Sequence, residues 1–323
     1  MTEASRYARQ VVLPQVGAAG QAALGAARVL VVGAGGLGVP VLQYLAGAGV
    51  GAITIVDGDT VEEINLHRQP LYRMADLGHP KAVAAARALA ATNPGPRVEP
   101  RPVWLDPANA PALVAAADVV LDCADSFAVS FTLSDACRDA GRPLISGSAL
   151  GMAGYAGGFC GGAPSLRAVF PDLPAAAGTC ATAGILGPVV AVIGALQAQM
   201  ALAVLLGLAP SPLGQMTTFD GATFRAGGFR FDGTPEPVAA RRFVAASQIG
   251  PGDMVVDLRD EAPVPFRADA GRMPPGGPAT LTPPPGTARV VLACRTGLRA
   301  FHAAEALAGH WDGKIALHAV TPG

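Results

Sequence analysis

The sequence predicts an α/β protein: a Rossmann-like, doubly wound, mostly parallel sheet followed by a small α/β unit at the C-terminal end. Three observations carry this. An apolar run, Val29 to Val32, leads into Gly33-Ala34-Gly35-Gly36-Leu37-Gly38, a helix-length segment to Ala48, and a second apolar run, Ile53 to Val56, closed by Asp57. The same alternation then continues to about residue 146. Finally, Gly233-Thr234-Pro235-Glu236-Pro237 reads as a linker, beyond which strand and helix signals start again.

In the first unit, Gly33 allows a tight turn off the strand, Gly35 lets backbone N–H groups approach a phosphate, and Gly38 lets helix pack on strand. The helix N-terminus then faces an anion, and Asp57 stands where a carboxylate would hold a ribose hydroxyl. Residues 58–69 are too polar for a strand, and a loop runs on to Lys81. An Ala-rich helix over 82–91 is stopped by Asn93-Pro94-Gly95-Pro96. Strands follow at 98–105, 119–126 and 143–146, with helices at 110–117 and 134–140. Regular alternation of this kind implies a parallel sheet with helices on both faces. Ala153 to Gly178 reads as a Gly/Pro-rich crossover.

The segment from Ile185 to Ala209 is apolar and uncharged for long enough to span a membrane. Gln197 and Gln199 lie within it and Pro188 and Gly194 interrupt it, so it reads as a helix buried in a core or dimer interface. No membrane association is expected.

Composition excludes other classes. Half of the 323 residues are apolar, which supplies ample core. A formal charge of -1, without runs of Lys or Arg, gives no electrostatic reason to expect nucleic acid. The five cysteines are odd in number and form no C-x-x-C pair, which argues against a disulfide framework and a thiolate zinc site. Without a signal-peptide pattern, a cytoplasmic location is expected.

Ligands of open α/β sheets bind outside the carboxyl ends of the strands, so Asp57, Asp59, Asp122 and Asp125 should converge on the glycine loop. A dehydrogenase, suggested by the glycine motif alone, has little use for Arg68, Lys81 and Asp125 around the phosphates. Cleavage of a triphosphate needs cations on the phosphate oxygens and a carboxylate such as Asp125 to hold Mg2+.

Several ordered motifs carry a resemblance. Arg6-Tyr7-Ala8-Arg9-Gln10, Gly33 to Gly38, Asp57-Gly58-Asp59, Asn65 to Gln69, Pro80-Lys81, Asp122-Cys123-Ala124-Asp125, Thr179 to Gly184 and Phe219-Asp220-Gly221 together resemble the ThiF/MoeB/HesA family, bacterial relatives of ubiquitin-activating enzymes. The resemblance covers roughly residues 5–231. It implies ATP-dependent adenylation of the C-terminal glycine of a ubiquitin-like sulfur-carrier protein ending in Gly-Gly, performed by a homodimer. Carried over, Gly35 and Gly36 line the phosphates, Asp57 the ribose, and Asn65, Arg68 and Lys81 the triphosphate, with Asp125 on Mg2+. Gly33, Gly38, Asp59, Gln69 and Asp122 complete the nucleotide-binding set, and Arg9 reaches into the partner's site. Cys180 lies where some family members form a covalent acyl link and others do not. The family's crossover C-x-x-C is Ser165-Leu166-Arg167-Ala168 here and no second pair follows Phe231, so zinc is predicted absent. The details around residues 182–190 resemble the thiamin-thiazole (ThiF) branch, with the molybdopterin (MoeB) branch as the alternative. A silent carrier-binding scaffold remains open.

After residues 1–232 and a linker over 233–242, residues 243–323 form the second unit. A strand over 254–259 and another over 290–293 lead into Cys294-Arg295-Thr296-Gly297-Leu298-Arg299 and a helix. That order puts Cys294 in a cradle of backbone N–H groups suited to a thiolate or persulfide. The loop resembles that of rhodanese sulfurtransferases, in an abbreviated domain. An active Cys294 would receive sulfur from a donor such as a cysteine desulfurase.

Overall fold

The computed structural model describes residues 6–173, 184–238, 240–259 and 261–320. The glycine loop joins β1 (Arg28–Val32) to α3 (Gly38–Gly47), behind two N-terminal helices, α1 (Ala8–Val11) and α2 (Gly17–Ala26). β2 (Ala52–Val56), α4 (Lys81–Thr92), β3 (Arg97–Arg101), α5 (Ala110–Ala115), β4 (Val119–Asp122), α6 (Phe127–Ala140) and β5 (Pro143–Leu150) follow. The strand order β3-β2-β1-β4-β5 is parallel throughout. Because the chain leaves β1 toward β2 and later returns to β4 on the other side, the sheet's direction of winding reverses between β1 and β4. That reversal opens a crevice at their carboxyl ends.

α3 and α4 bury their apolar faces against one side of the sheet, while α5 and α6 cover the other. The strands are apolar on both faces for this reason; Val29 to Val32 are all buried. α6 begins seven residues before the expected Ser134, because Phe131 and Leu133 pack inward from its first turns.

The stretch read as an irregular crossover is partly strand. β6 (Ala153–Cys160) runs antiparallel to β5, and β7 (Gln215–Asp220) and β8 (Arg225–Arg230) extend the sheet to eight strands. A short helix, α7 (Leu166–Val169), follows β6. The apolar segment forms α8 (Gly187–Leu205), long and apolar enough by composition to cross a membrane. Its Gln197 is fully buried and donates to the Asp122 carbonyl at 2.7 Å, which places the helix against the sheet as core.

A second sheet has the order β10-β9-β11-β12, with β9 (Asp253–Asp257), β10 (Gly271–Arg272), β11 (Arg289–Cys294) and β12 (Ile315–Ala319) all parallel, and α9 (Leu298–Ala308) packed on it. One hydrophobic cluster runs from the α5/α6 face of the large sheet into this second sheet.

Candidate active site

The crevice between β1 and β4 is a cavity of about 390 Å³, within the range of small-molecule sites. Its floor is the glycine loop. Gly33 has φ +93° and a Cβ there would lie 2.6 Å from the Cys123 carbonyl oxygen, while a Cβ on Gly38 would lie 2.0 Å from the Gly33 carbonyl oxygen. These two glycines are therefore demanded by backbone approach within the protein, and Gly38 stands behind the cavity rather than on it. Gly35 and Gly36 face the opening, and among the described residues their N–H groups donate to no backbone carbonyl. Free N–H groups at the start of a helix are what a phosphate accepts from.

Asp57, at the end of β2, accepts from the N–H of Ala34 at 2.7 Å and of Asp59 at 2.8 Å, locking the loop to the next strand. Burial pushes its carboxyl upward and these two bonds pull it back. Tyr72 donates to the Ala34 carbonyl at 2.7 Å from behind, and burial holds its phenol well above the usual range. Sequence reasoning missed Tyr72, a lone aromatic in a polar loop with no motif to mark it.

The polar loop after Asp57 brings the cations. A short 3-10 turn at Glu63–Asn65 lets the Asn65 Oδ1 accept from the Arg68 guanidinium at 2.9 Å, which aims that side chain along the cavity wall. Lys81 opens α4, is 5% exposed and pairs with Asp59. Gln69 is 2% exposed and lines the cavity; its Oε1 is buried without a partner among the described residues. A buried acceptor left unpaired costs about 1–3 kcal/mol, so the cavity is shaped for a ligand that brings a donor. Trp104, 44% exposed, lies over Gly58, where an added Cβ would meet its ring at 2.6 Å. It too was missed in the sequence, being one aromatic past the end of an edge strand.

β4 delivers Asp122 and Asp125 to different places. Asp125 is exposed on the cavity wall. Asp122 does not line it, contrary to the expected convergence: it is fully buried, accepting from Ser146 Oγ at 2.8 Å and the Ala124 N–H at 3.2 Å. Burial raises its carboxyl to about 6. Its place is under the β4 turn, holding the loop that carries Asp125.

Two other expected residues, Arg9 and Cys294, lie elsewhere. Arg9 is exposed on α1 and does not line the cavity of its own chain. Cys180 falls outside the described residues. Cys294 ends β11, 1% exposed, and its Sγ accepts from the N–H groups of Gly297 at 3.2 Å and Ala300 at 3.4 Å. Burial pushes the Cys123, Cys137 and Cys160 thiols up, as suits inert packing groups. A larger cleft of about 840 Å³ lies between the two sheets, but its arginines 241, 242 and 289 are already paired with Glu305, Asp139 and Asp253.

The residues fit Mg2+ at one place and do not fit zinc at another. Asp125 offers the hard oxygen that Mg2+ prefers. At the expected zinc corner, Ser165 donates from its N–H and Oγ to Glu236 at 2.7 and 2.6 Å, and Glu236 also meets Arg138 at 3.3 Å. Arg167, buried, is bidentate to Asp135 at 2.7 and 2.9 Å and stacks on Phe131. A hydroxyl and a guanidinium are not the thiolates that structural zinc takes.

The ThiF family profile matches residues 7–237. The chain is 48% identical over 221 residues to the adenylyltransferase and sulfurtransferase MOCS3 of Bos taurus, over 68% of this chain and 49% of that one. It is 44% identical over 233 residues to the sulfur carrier protein adenylyltransferase of Thermus thermophilus, over 69% of this chain and 86% of that one. The chain spans about half the length of the relatives named adenylyltransferase and sulfurtransferase. Among solved structures, E. coli MccB with AMPCPP and MccA superimposes with a TM-score of 0.63 at 23% identity, covering 72% of this chain and 73% of that one. PaaA does so with 0.60 at 22%, covering 71% and 74%. Those two likenesses concern the fold. With a family match over most of its length, the chain belongs to the ThiF family.

Proposed function

We propose that this protein is an ATP-dependent adenylyltransferase acting on the C-terminal glycine carboxylate of a ubiquitin-like sulfur-carrier protein. The observation that carries the reading is one cavity holding the open N–H groups of Gly35 and Gly36, the cations of Arg68 and Lys81, and the Asp125 carboxylate. The names borne by its relatives support the substrate class.

ATP enters with its phosphates on the glycine loop, its ribose toward Asp57 and its base beside Trp104. A carboxylate oxygen of the carrier attacks the α-phosphorus, the bond to the β-phosphate oxygen breaks, and pyrophosphate leaves with the electron pair. Arg68 and Lys81 neutralise the charge that builds on the leaving group, and no covalent enzyme intermediate is needed. Mg2+, when bound, would be held by Asp125 and would supply further charge neutralisation. In a homodimer, Arg9 of one subunit completes the site of the other.

A second step follows from the Cys294 cradle. The terminal sulfur of a Cys294 persulfide, supplied by a sulfane-sulfur donor such as a cysteine desulfurase, attacks the acyl carbon and AMP leaves. A thiol then attacks the Cys294 sulfur of the resulting acyl disulfide, freeing a thiocarboxylate on the carrier and leaving a disulfide that an external dithiol reduces. The carrier is proposed to be that of thiamin-thiazole formation, with the molybdopterin carrier as the alternative.

The test is ATP–pyrophosphate exchange by the purified protein with no carrier, with the thiamin carrier and with the molybdopterin carrier. Exchange dependent on one carrier is expected and names the pathway. A folded, Mg2+-supplied sample that exchanges with none overturns the reading.

A further inference from the structure

The loop that carries Cys294 is wedged between Phe243, on a segment paired with the edge of its own sheet, and the start of α6 beside the large sheet. Gly297, whose N–H holds the Cys294 sulfur, has φ +85°, and a Cβ there would lie 2.5 Å from the Phe243 ring and 3.5 Å from the Ala128 Cβ. Ala128 is in the first turn of α6, three residues after Asp125. Phe243 is 6% exposed and its backbone bridges to Leu317 on β12. Its neighbour Arg242 pairs with Asp139, near the far end of α6, with one contact at 2.8 Å. Phe127 and Leu298 pack on the same hydrophobic cluster. The sulfur loop is thus seated on the beginning of α6, the helix whose preceding turn presents Asp125 to the adenylation cavity.

We propose that Phe243 and Ala128 are positioning residues that dock the Cys294 loop against the start of α6, fixing it in register with the adenylation cavity of the same chain. The inference rests on the proposed function, since it gives Cys294 its sulfur. A unit free on a flexible linker would meet the acyl-adenylate at an effective concentration set by that linker, whereas a docked loop has no search to make. The close contact also explains a glycine at 297: a side chain there would enter the Phe243 ring.

The experiment separates three steps in the full chain: carrier-dependent ATP–pyrophosphate exchange, loading of labelled sulfane sulfur from thiosulfate onto Cys294, and single-turnover transfer of that label to the carrier. In Ala128→Leu, which overfills the wedge without touching Phe243, exchange and loading are expected to stay within about twofold while transfer falls roughly tenfold. Phe243→Ala is expected to lower transfer as well, and Phe243→Met to restore it. Transfer at the wild-type rate in both Ala128→Leu and Phe243→Ala, or a fall only in step with loading, overturns the docking role. Failure of the wild type to exchange is a different result, since it removes the adenylation reading, and exchange without loading removes Cys294 as the sulfur carrier and the docking proposal with it.

Discussion

The Lys81 ammonium, almost wholly buried at the start of α4, is paired with the half-exposed carboxylate of Asp59 on the rim of the nucleotide cavity. The pair holds the lysine chain upright beside the glycine loop, from which an incoming triphosphate can take over part of its charge. Lys81→Ala should lower the kcat of pyrophosphate exchange by about 100-fold or more, the scale of losing one preorganised charge at a reacting oxygen. Steady-state exchange kinetics check this, and an unchanged kcat would remove Lys81 from the chemistry.

Trp104 lies over Gly58 rather than on the glycine loop, so with ATP placed as proposed its contribution should be to binding alone. Trp104→Ala is expected to raise the KM for ATP roughly tenfold with little change in kcat, the mark of an interaction equally strong before and during reaction. A fall in kcat with constant KM would place the ring nearer the reacting atoms.

Arg9 is exposed and does not line its own chain's cavity. Arg9→Ala and Lys81→Ala chains should each be inactive alone. Co-expressed with separate tags and isolated as a mixed pair, they should recover exchange, because one of the two sites then holds an intact set. Full exchange by Arg9→Ala alone would place Arg9 outside the reaction, and two inactive single variants without recovery in the mixed pair would overturn its action across the dimer.

Asp122 gives a pH signature. Its carboxyl is raised to about 6 by complete burial. A raised carboxyl means the folded state holds its proton more tightly than the unfolded chain does. Its contribution to stability is therefore fully present below the unfolded value near 4 and lost as pH rises through about 6. The change is on the order of 2–3 kcal/mol. Denaturation of Asp122→Asn between pH 4 and 7 should lack this decline; an identical slope in both proteins would overturn the assignment.

Arg167 and Asp135 form a buried bidentate pair. Removing one partner should be costly: Arg167→Met alone is expected to destabilise by about 3–5 kcal/mol, leaving an uncompensated carboxylate. The double variant with Asp135→Leu should recover much of that, as measured by urea denaturation at pH 7.

The phosphate half of the site was legible because Gly33 and Gly38 are imposed by backbone contacts and because β1 is apolar at four consecutive positions. Asn65, Arg68 and Lys81 were visible only as a spaced set, since each alone looks like surface. β6 is hard to see in the sequence, where it falls in a Gly/Pro-rich crossover, because Ala153 to Cys160 carries three glycines. They are there because the strand lies close to its neighbours: a Cβ at Gly154 would meet the Ser148 carbonyl oxygen at 2.6 Å, and one at Gly158 the Pro212 carbonyl oxygen at 2.5 Å. Close approach and flexibility leave the same letter in a sequence. The place of Asp122 is hidden for a related reason, because a carboxylate at a strand end looks the same whether it faces a ligand or, as here, Ser146.

The corner around Ser165, Glu236 and Arg138 ties the segment after β6 to the chain beyond β8 without sulfur ligands. A thiolate–metal corner comes apart with chelators or oxidants and withstands salt, whereas ion pairs and hydrogen bonds such as these are weakened by high ionic strength. The join is therefore expected to loosen as salt is added, where one built on thiolates and a metal would answer to chelators instead.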